Sequence, residues 1–209
     1  MKIFAIIVGI LILIIFIAFV LMFKGPDISQ FEHLIDPKIS VKEDMKMIVV
    51  KAEGDPNDAG SEAFRLLFKT YFKIKGAPKG PNQPAPRARW PISVDVPKSE
   101  WIGFYAMPVP EQTTTIPKIE SELNAELEIW KYGEVAEILH LGSYASETPT
   151  IKRLHNFITE QGYQIIGNHE EEYIKGPGMF SKGNPEKYIT VIRYRVQKQE
   201  AISTEINTE

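Results

Sequence analysis

Apolar residues follow three rhythms along this chain. From Ile3 to Phe23 they are continuous, with no charged residue among them. Further on they either alternate with polar residues, the period of a half-buried strand, or recur every three to four positions, the period of an amphipathic helix. The carboxyl-terminal part reads most clearly. Ala136 to Leu141 is a strand closed by Gly142-Ser143-Tyr144. Thr148 to Gln161 carries Ile151, Leu154, Phe157 and Ile158 at helical spacing, and Gly162 stops it. Strands follow at Tyr163–Ile166 and Glu170–Ile174, then a turn at Gly176-Pro177-Gly178 and a last strand, Tyr188–Val196.

A similar order is legible earlier in the chain. Met47–Lys51 reads as a strand ending near Gly54. A helix runs from Ser61 to about Tyr71, with Ala63, Leu66, Leu67 and Phe68 apolar, and strands follow at Trp90–Pro97 and Trp101–Met107. Gly54 aligns with Gly142, and Leu66 with Leu154, at one common offset. Two copies of one supersecondary unit pack most simply about a pseudo-twofold axis. The halves differ by an insertion, Lys75 to Pro86, whose Pro, Gly and Lys content favours extended and turn conformations. Pro108–Pro117 is a second loop, and Ser121–Trp130 ends as a strand running into Tyr132-Gly133.

The Gly-x-Tyr turn after a strand (Gly142, Tyr144), the Glu-x-Tyr strand (Glu171, Tyr173), the following Gly-Pro turn and a last strand with central Thr190 resemble the GyrI-like effector-binding domain. That module is also fused to AraC-type and MerR-type regulators and is related to the SOUL fold. The resemblance covers about Asp44 to Val196. It implies an α+β class with duplicated β-α-β-β halves related by a pseudo-twofold, here preceded by one transmembrane helix. The expected organisation is an anchor over 1–24, a tether over 25–43, the domain over 44–196 (halves 44–109 and 124–196) and a disordered tail over 197–209.

The run Ile3–Phe23 has the ~20 apolar residues a helix needs to span the hydrocarbon core. It exceeds the ~7–15 residues of a signal-peptide core and ends in Val20-Leu-Met-Phe23 and Lys24 rather than in small residues. An uncleaved single-pass anchor is expected. Lys2 before the span and Lys24 after it nearly balance, so the positive-inside rule decides little. The short amino-terminal tail favours a domain facing away from the cytoplasm. The chain has no Cys, which excludes disulfides, thiolate metal sites and amino-terminal thioether lipidation. The formal net charge is −3 with signs mixed, and no basic patch with interleaved aromatics appears, so nucleic acid is not an expected partner.

Glu171 is the chief candidate for chemistry. In a strand, His169, Glu171 and Tyr173 share one face, and Glu170, Glu172 and Ile174 the other. The resemblance implies that the Glu two residues before the Tyr faces the ligand cavity. A desolvated carboxylate would select a cation or act as acid or base; a solvated position in the acidic run Glu170–Glu172 is the bland alternative. Tyr173, Tyr144, Tyr105, Trp101 and Trp90 are the candidate walls of an aromatic cleft, suited to a hydrophobic or cationic ligand. Packing explains each of them individually as well. Gly103 leaves room beside Tyr105. His33, His140, His155 and His169 form no metal motif, so neither metal nor cofactor is expected.

These readings favour a membrane-anchored small-molecule-binding protein, its cleft between the two repeats and its output through an unidentified protein partner or through sequestration. Resemblance adds two alternatives. One is a hydrolase of strained electrophilic small molecules using Glu171 with Tyr173. The other is a protein-interaction or inhibitor module.

Overall fold

The structure, a computed structural model, describes residues 29–91, 97–177 and 183–199. The chain divides into two units after His33, and the second, from Leu34, carries the fold. It contains nine strands and two long helices among the described residues. They are β1 (Lys38–Lys42), β2 (Met45–Glu53), α1 (Pro56–Tyr71), β3 (Arg87–Trp90), β4 (Ile102–Pro108), β5 (Ala125–Trp130), β6 (Gly133–Leu141), α2 (Thr148–Glu160), β7 (Tyr163–Ile165), β8 (His169–Lys175) and β9 (Ile189–Lys198).

The strands lie in the order β1-β6-β9-β8-β3-β4-β2-β5, all antiparallel, with β7 on β9. The central six, β6-β9-β8 and β3-β4-β2, mirror one another about the β8–β3 seam. The expected repeat is therefore real in three dimensions. Gly54 and Gly142 both take positive φ, +119° and +126°, at the strand-to-helix corner. Their N–H groups make matching bonds, to Trp101 O at 2.9 Å and Tyr188 O at 3.0 Å. Leu66 and Leu154 are both buried under their helices.

The outer strands cross over between the halves. β1 pairs with β6 and β5 with β2, and the two ladders share one register: Lys42 lies opposite Gly133 and Met45 opposite Trp130. β1–β2 and β5–β6 thus behave as two long strands paired along their length, which closes the sheet into a barrel. Asp44 stitches the junction, accepting from the Tyr132 N–H at 3.0 Å and pairing with Lys131 at 2.6 Å.

Alternation along the strands separates two environments. Outside, α1 covers Ile48, Val50, Tyr105 and Met107, and α2 covers Ala136, Ile138, Ile192 and Tyr194. Inside, Met47, Val49, Ala106, Trp130 and Val135 form an apolar layer. Beside it Arg193 bridges Glu137, Glu170 and Glu172, Arg87 pairs with Glu172, and Arg89 with Glu170. Burial alone would raise the Glu170 carboxyl; the charges of Arg193, Arg89 and Arg87 outweigh it and hold it below its ordinary range.

Three expectations are adjusted, and a fourth lies outside the described residues. Part of the expected tether, Lys38–Lys42, is a sheet strand. The strand expected to begin at Trp90 instead ends there: Arg87–Trp90 pairs with β4 and β8, and Pro91, lacking an N–H, cannot continue the ladder. β9 runs two residues into the expected tail, to Lys198. The run 3–23 lies outside the described residues, among which no helix is long and apolar enough to cross a membrane.

Candidate functional site

Glu171 sits at the seam between the repeats. It is on β8, opposite Ala88 of β3 on one side and Ile192 of β9 on the other. The small Ala88 side chain leaves space over the seam on the face that carries the two helices. His169 Nε2 lies 2.8 Å from Glu171 Oε1, and the Tyr173 hydroxyl donates to Oε2 at 2.7 Å. The face predicted from alternation is therefore a bonded row. Glu170 and Glu172 point into the barrel, where they are bound by arginines.

Burial raises the cost of a charge on Glu171, yet the bond from His169, that residue's charge and the bond from Tyr173 together hold its carboxyl below the ordinary range. Glu147, immediately before α2, has the opposite balance. It is 6% exposed, and burial first, then the charge of Glu171, raises its carboxyl well above the usual carboxylate range. Two carboxyls in one dry site separate in this way because both cannot ionise cheaply. Glu147 Oε1 is buried without a hydrogen-bond partner. One donor atom each from Glu147, His169 and Glu171 lies within 4.8 Å of the others. Tyr194 completes the polar row, its hydroxyl 2.6 Å from His169 Nδ1.

Aromatic rings wall this carboxylate on both sides. Trp101 contacts Trp90, with centroids 5.7 Å apart, Trp90 meets Tyr105 at 5.6 Å, and Tyr105 meets Phe64 of α1 at 4.9 Å. Phe64 meets Tyr173 at 5.8 Å, and Tyr173 meets Tyr144 at 5.5 Å. All five aromatic residues singled out in the sequence thus belong to one chain of rings, joined through Phe64, and Tyr105, Tyr144 and Tyr173 of that chain interact with Glu171. Gly103 permits it: a Cβ there would stand 2.7 Å from Tyr105 and 2.9 Å from Trp90. Burial, with Glu171 nearby, raises the hydroxyls of Tyr105 and Tyr144.

Sequence reasoning missed Phe64 and Glu147, and treated His169 as an incidental neighbour. Phe64 lies beside the counted apolar stripe of α1 and carries no signal of its own. Glu147 precedes a helix like any polar start residue. His140 stays structural, bonded between Thr150 and Ser143. Met179 and Phe180, which follow the Gly-Pro turn, lie outside the described residues.

The site is closed in this structure, with the Glu171 side chain only 13% exposed. A measurable cavity of about 150 Å³ opens elsewhere, lined by Arg89, Tyr132, Glu170, Arg193 and Arg195. Its charged groups are already satisfied: Arg89 stacks 4.0 Å over Trp130, and Arg195 donates to Tyr132 O. Donors and an oxygen without a hydrogen-bond partner among the described residues converge at Glu171, which makes it the candidate site rather than that cavity.

No family model and no curated protein matches the chain. Solved structures do. An uncharacterized conserved protein from Listeria innocua superposes with a TM-score of 0.67 at 19% identity, over 82% of this chain and 99% of that one. A hydrolase from Listeria innocua gives 0.65 at 18% identity, over 82% and 99%. The EcmrR C-terminal domain gives 0.53 at 13% identity, over 78% and 98%. Likeness at these identities shows the fold, a GyrI-like α+β arrangement.

Proposed function

We propose that the chain is a binding protein for a hydrophobic small molecule, cationic or aromatic, held over the β8–β3 seam. The observation that carries this reading is the Glu171 carboxyl, bonded by His169 and Tyr173, beside a chain of six linked aromatic rings. A flat or tetrahedral hydrophobic cation gains ring contact and cation–π attraction there, and its charge meets a carboxylate that the fold keeps ionised. Tyr144, 37% exposed, is the least buried ring and the natural flap. We place the domain behind an anchor formed by residues 3–23, facing away from the cytoplasm, with ligand capture near the membrane surface.

The test is thermal unfolding of the full chain against a panel of hydrophobic cations and matched neutral analogues. At ~100 times its dissociation constant a ligand adds roughly 2.7 kcal/mol. Stabilisation by cations that vanishes in Glu171→Gln supports the reading; equal responses to cation and neutral analogue refute the role of the carboxylate.

A second reading is hydrolysis of a strained electrophile. It is favoured by the 2.7 Å bond between Tyr173 and Glu171, which sets a proton acceptor beside a hydroxyl able to polarise a substrate. Glu171 would take a proton from water as that water attacks, and Tyr173 would support the developing oxyanion. Product analysis of any stabilising electrophile separates turnover from binding.

A further inference from the structure

We infer that Glu147, His169 and Glu171 form a binding site for a single divalent first-row metal ion, zinc being the fitting probe. The inference goes beyond the small-molecule reading and does not depend on it. It starts from three donor atoms from three side chains, each within 4.8 Å of the others. Two come from one strand at i and i+2, a spacing that sends both side chains to the same face. The third comes from the corner before α2, so the strand and the helix corner hold the ion between them.

A mere acidic cluster would be solvated, with its oxygens hydrogen-bonded to water. This set is buried: Glu147 is 6% exposed, and the side chains of His169 and Glu171 are 16% and 13% exposed. Glu147 Oε1 has no hydrogen-bond partner among the described residues. A cation would satisfy a buried carboxylate oxygen that has no donor and lies next to a second carboxylate. A divalent ion would neutralise both carboxyls and give Glu147 Oε1 a partner.

The surrounding bonds suit ligation. Metal-bound imidazoles are oriented by a bond at the other ring nitrogen, and metal-bound carboxylates by a bond at the other oxygen. Here the Tyr194 hydroxyl is 2.6 Å from His169 Nδ1, and Tyr173 donates to Glu171 Oε2. That leaves His169 Nε2 and Glu171 Oε1, 2.8 Å apart, as the facing pair. On metal binding Nε2 would give up its proton and Nδ1 would donate to Tyr194. Donors around zinc stand at about 2.1 Å from the ion and so roughly 3–3.5 Å from each other. Glu147 would move towards the facing pair by up to ~1.5 Å, within the reach of its side chain, while His169 Nε2 and Glu171 Oε1, now 2.8 Å apart, would open slightly. Imidazole with two carboxylates suits zinc, manganese or iron(II) rather than a soft thiophilic ion. Three protein donors leave a coordination position open.

Sequence spacing gives no hint of this site, because Glu147 stands apart from the His-x-Glu pair. An organic cation and a metal ion would compete for Glu171, so each would weaken the other.

The experiment uses the full chain stripped with a chelator. Zinc is titrated calorimetrically, and cobalt(II) is added as an optical probe of ligand geometry. The expected result is one ion per chain, a rise in unfolding temperature, and visible cobalt bands. His169→Gln and Glu147→Gln should each weaken binding by ~10-fold or more. Glu147→Gln is nearly isosteric and removes no hydrogen bond at Oε1, so its apo form should fold and melt like the parent, which separates loss of the site from loss of the fold. Absence of binding below ~100 µM, or binding unchanged in both variants, overturns the inference. In either case the response of the metal-free chain to hydrophobic cations is unaffected, so this failure and that of the small-molecule reading are told apart.

Discussion

The Tyr132 hydroxyl donates to Glu170 at 2.8 Å inside the barrel, joining the β5–β6 junction to β8. The same oxygen accepts from Arg87 at 2.8 Å. One phenol therefore relays between an acid and a base from different repeats, and burial, tempered by the arginines, pushes its own ionisation up to about 12. Tyr132→Phe keeps the ring under Arg89 but leaves two buried charged groups each one partner short. We expect a loss of ~1–3 kcal/mol in urea unfolding.

Acid should unfold the protein through this interior. Glu170 and Glu172 both have depressed carboxyls, Arg193 being among the leading causes for each once burial is overcome. A depressed group contributes stability that is complete above its unfolded value, near pH 4.5, and is lost as pH falls through its folded one. Unfolding free energy measured from pH 7 down to pH 3 should thus fall steeply below about pH 4.5; between pH 7 and 4.5 the raised Glu147 carboxyl acts in the opposite sense, so stability should first rise. Glu170→Gln should be less stable by ~3–5 kcal/mol at pH 7, since it strands buried arginines, and its acid slope should be shallower.

Gly103→Ala tests the aromatic wall. Its Cβ would press on Tyr105 and Trp90, and Tyr105 is also confined by Gly60, where a Cβ would stand 3.0 Å from its hydroxyl. We expect ~1–3 kcal/mol of destabilisation and a change in tryptophan fluorescence. Gly176→Ala is the contrasting case. Its Cβ would meet only the tip of Tyr144, at 2.6 Å. That ring can swing outward, so ligand affinity should change while the unfolding temperature barely moves.

Leu66→Ala and Leu154→Ala occupy equivalent places under the two helices and should each cost ~2–5 kcal/mol. Because the barrel is shared, each variant should still melt in one transition rather than lose one half first. Calorimetry with coincident circular dichroism checks this.

Much of this was legible in the sequence because its signals are local. Helical spacing placed Leu154 and Ile158 in the core, and strand alternation put His169, Glu171 and Tyr173 on one face. The common offset of Gly54 and Gly142 exposed the repeat. What stayed hidden depends on contacts distant in sequence. Lys-Ile-Ser-Val-Lys over 38–42 is five residues with two charges, and only its partner β6 makes it a strand. Phe64 joins the ring chain only because α1 lies over the seam, and Glu147 joins Glu171 only because α2 starts there.

The crossing of the outer strands also orders how the chain can be made. Ser40 on β1 bonds Glu137 on β6, 97 residues later. On a ribosome the leading strand therefore emerges long before anything it can pair with, and β2 waits likewise for β5. Neither repeat can close its own sheet, so an isolated half would carry open edges that invite pairing with other chains. Long loops must be closed before either edge is covered, which favours slow, concerted assembly. The duplication that simplifies the architecture thus obliges this chain to fold late and all at once.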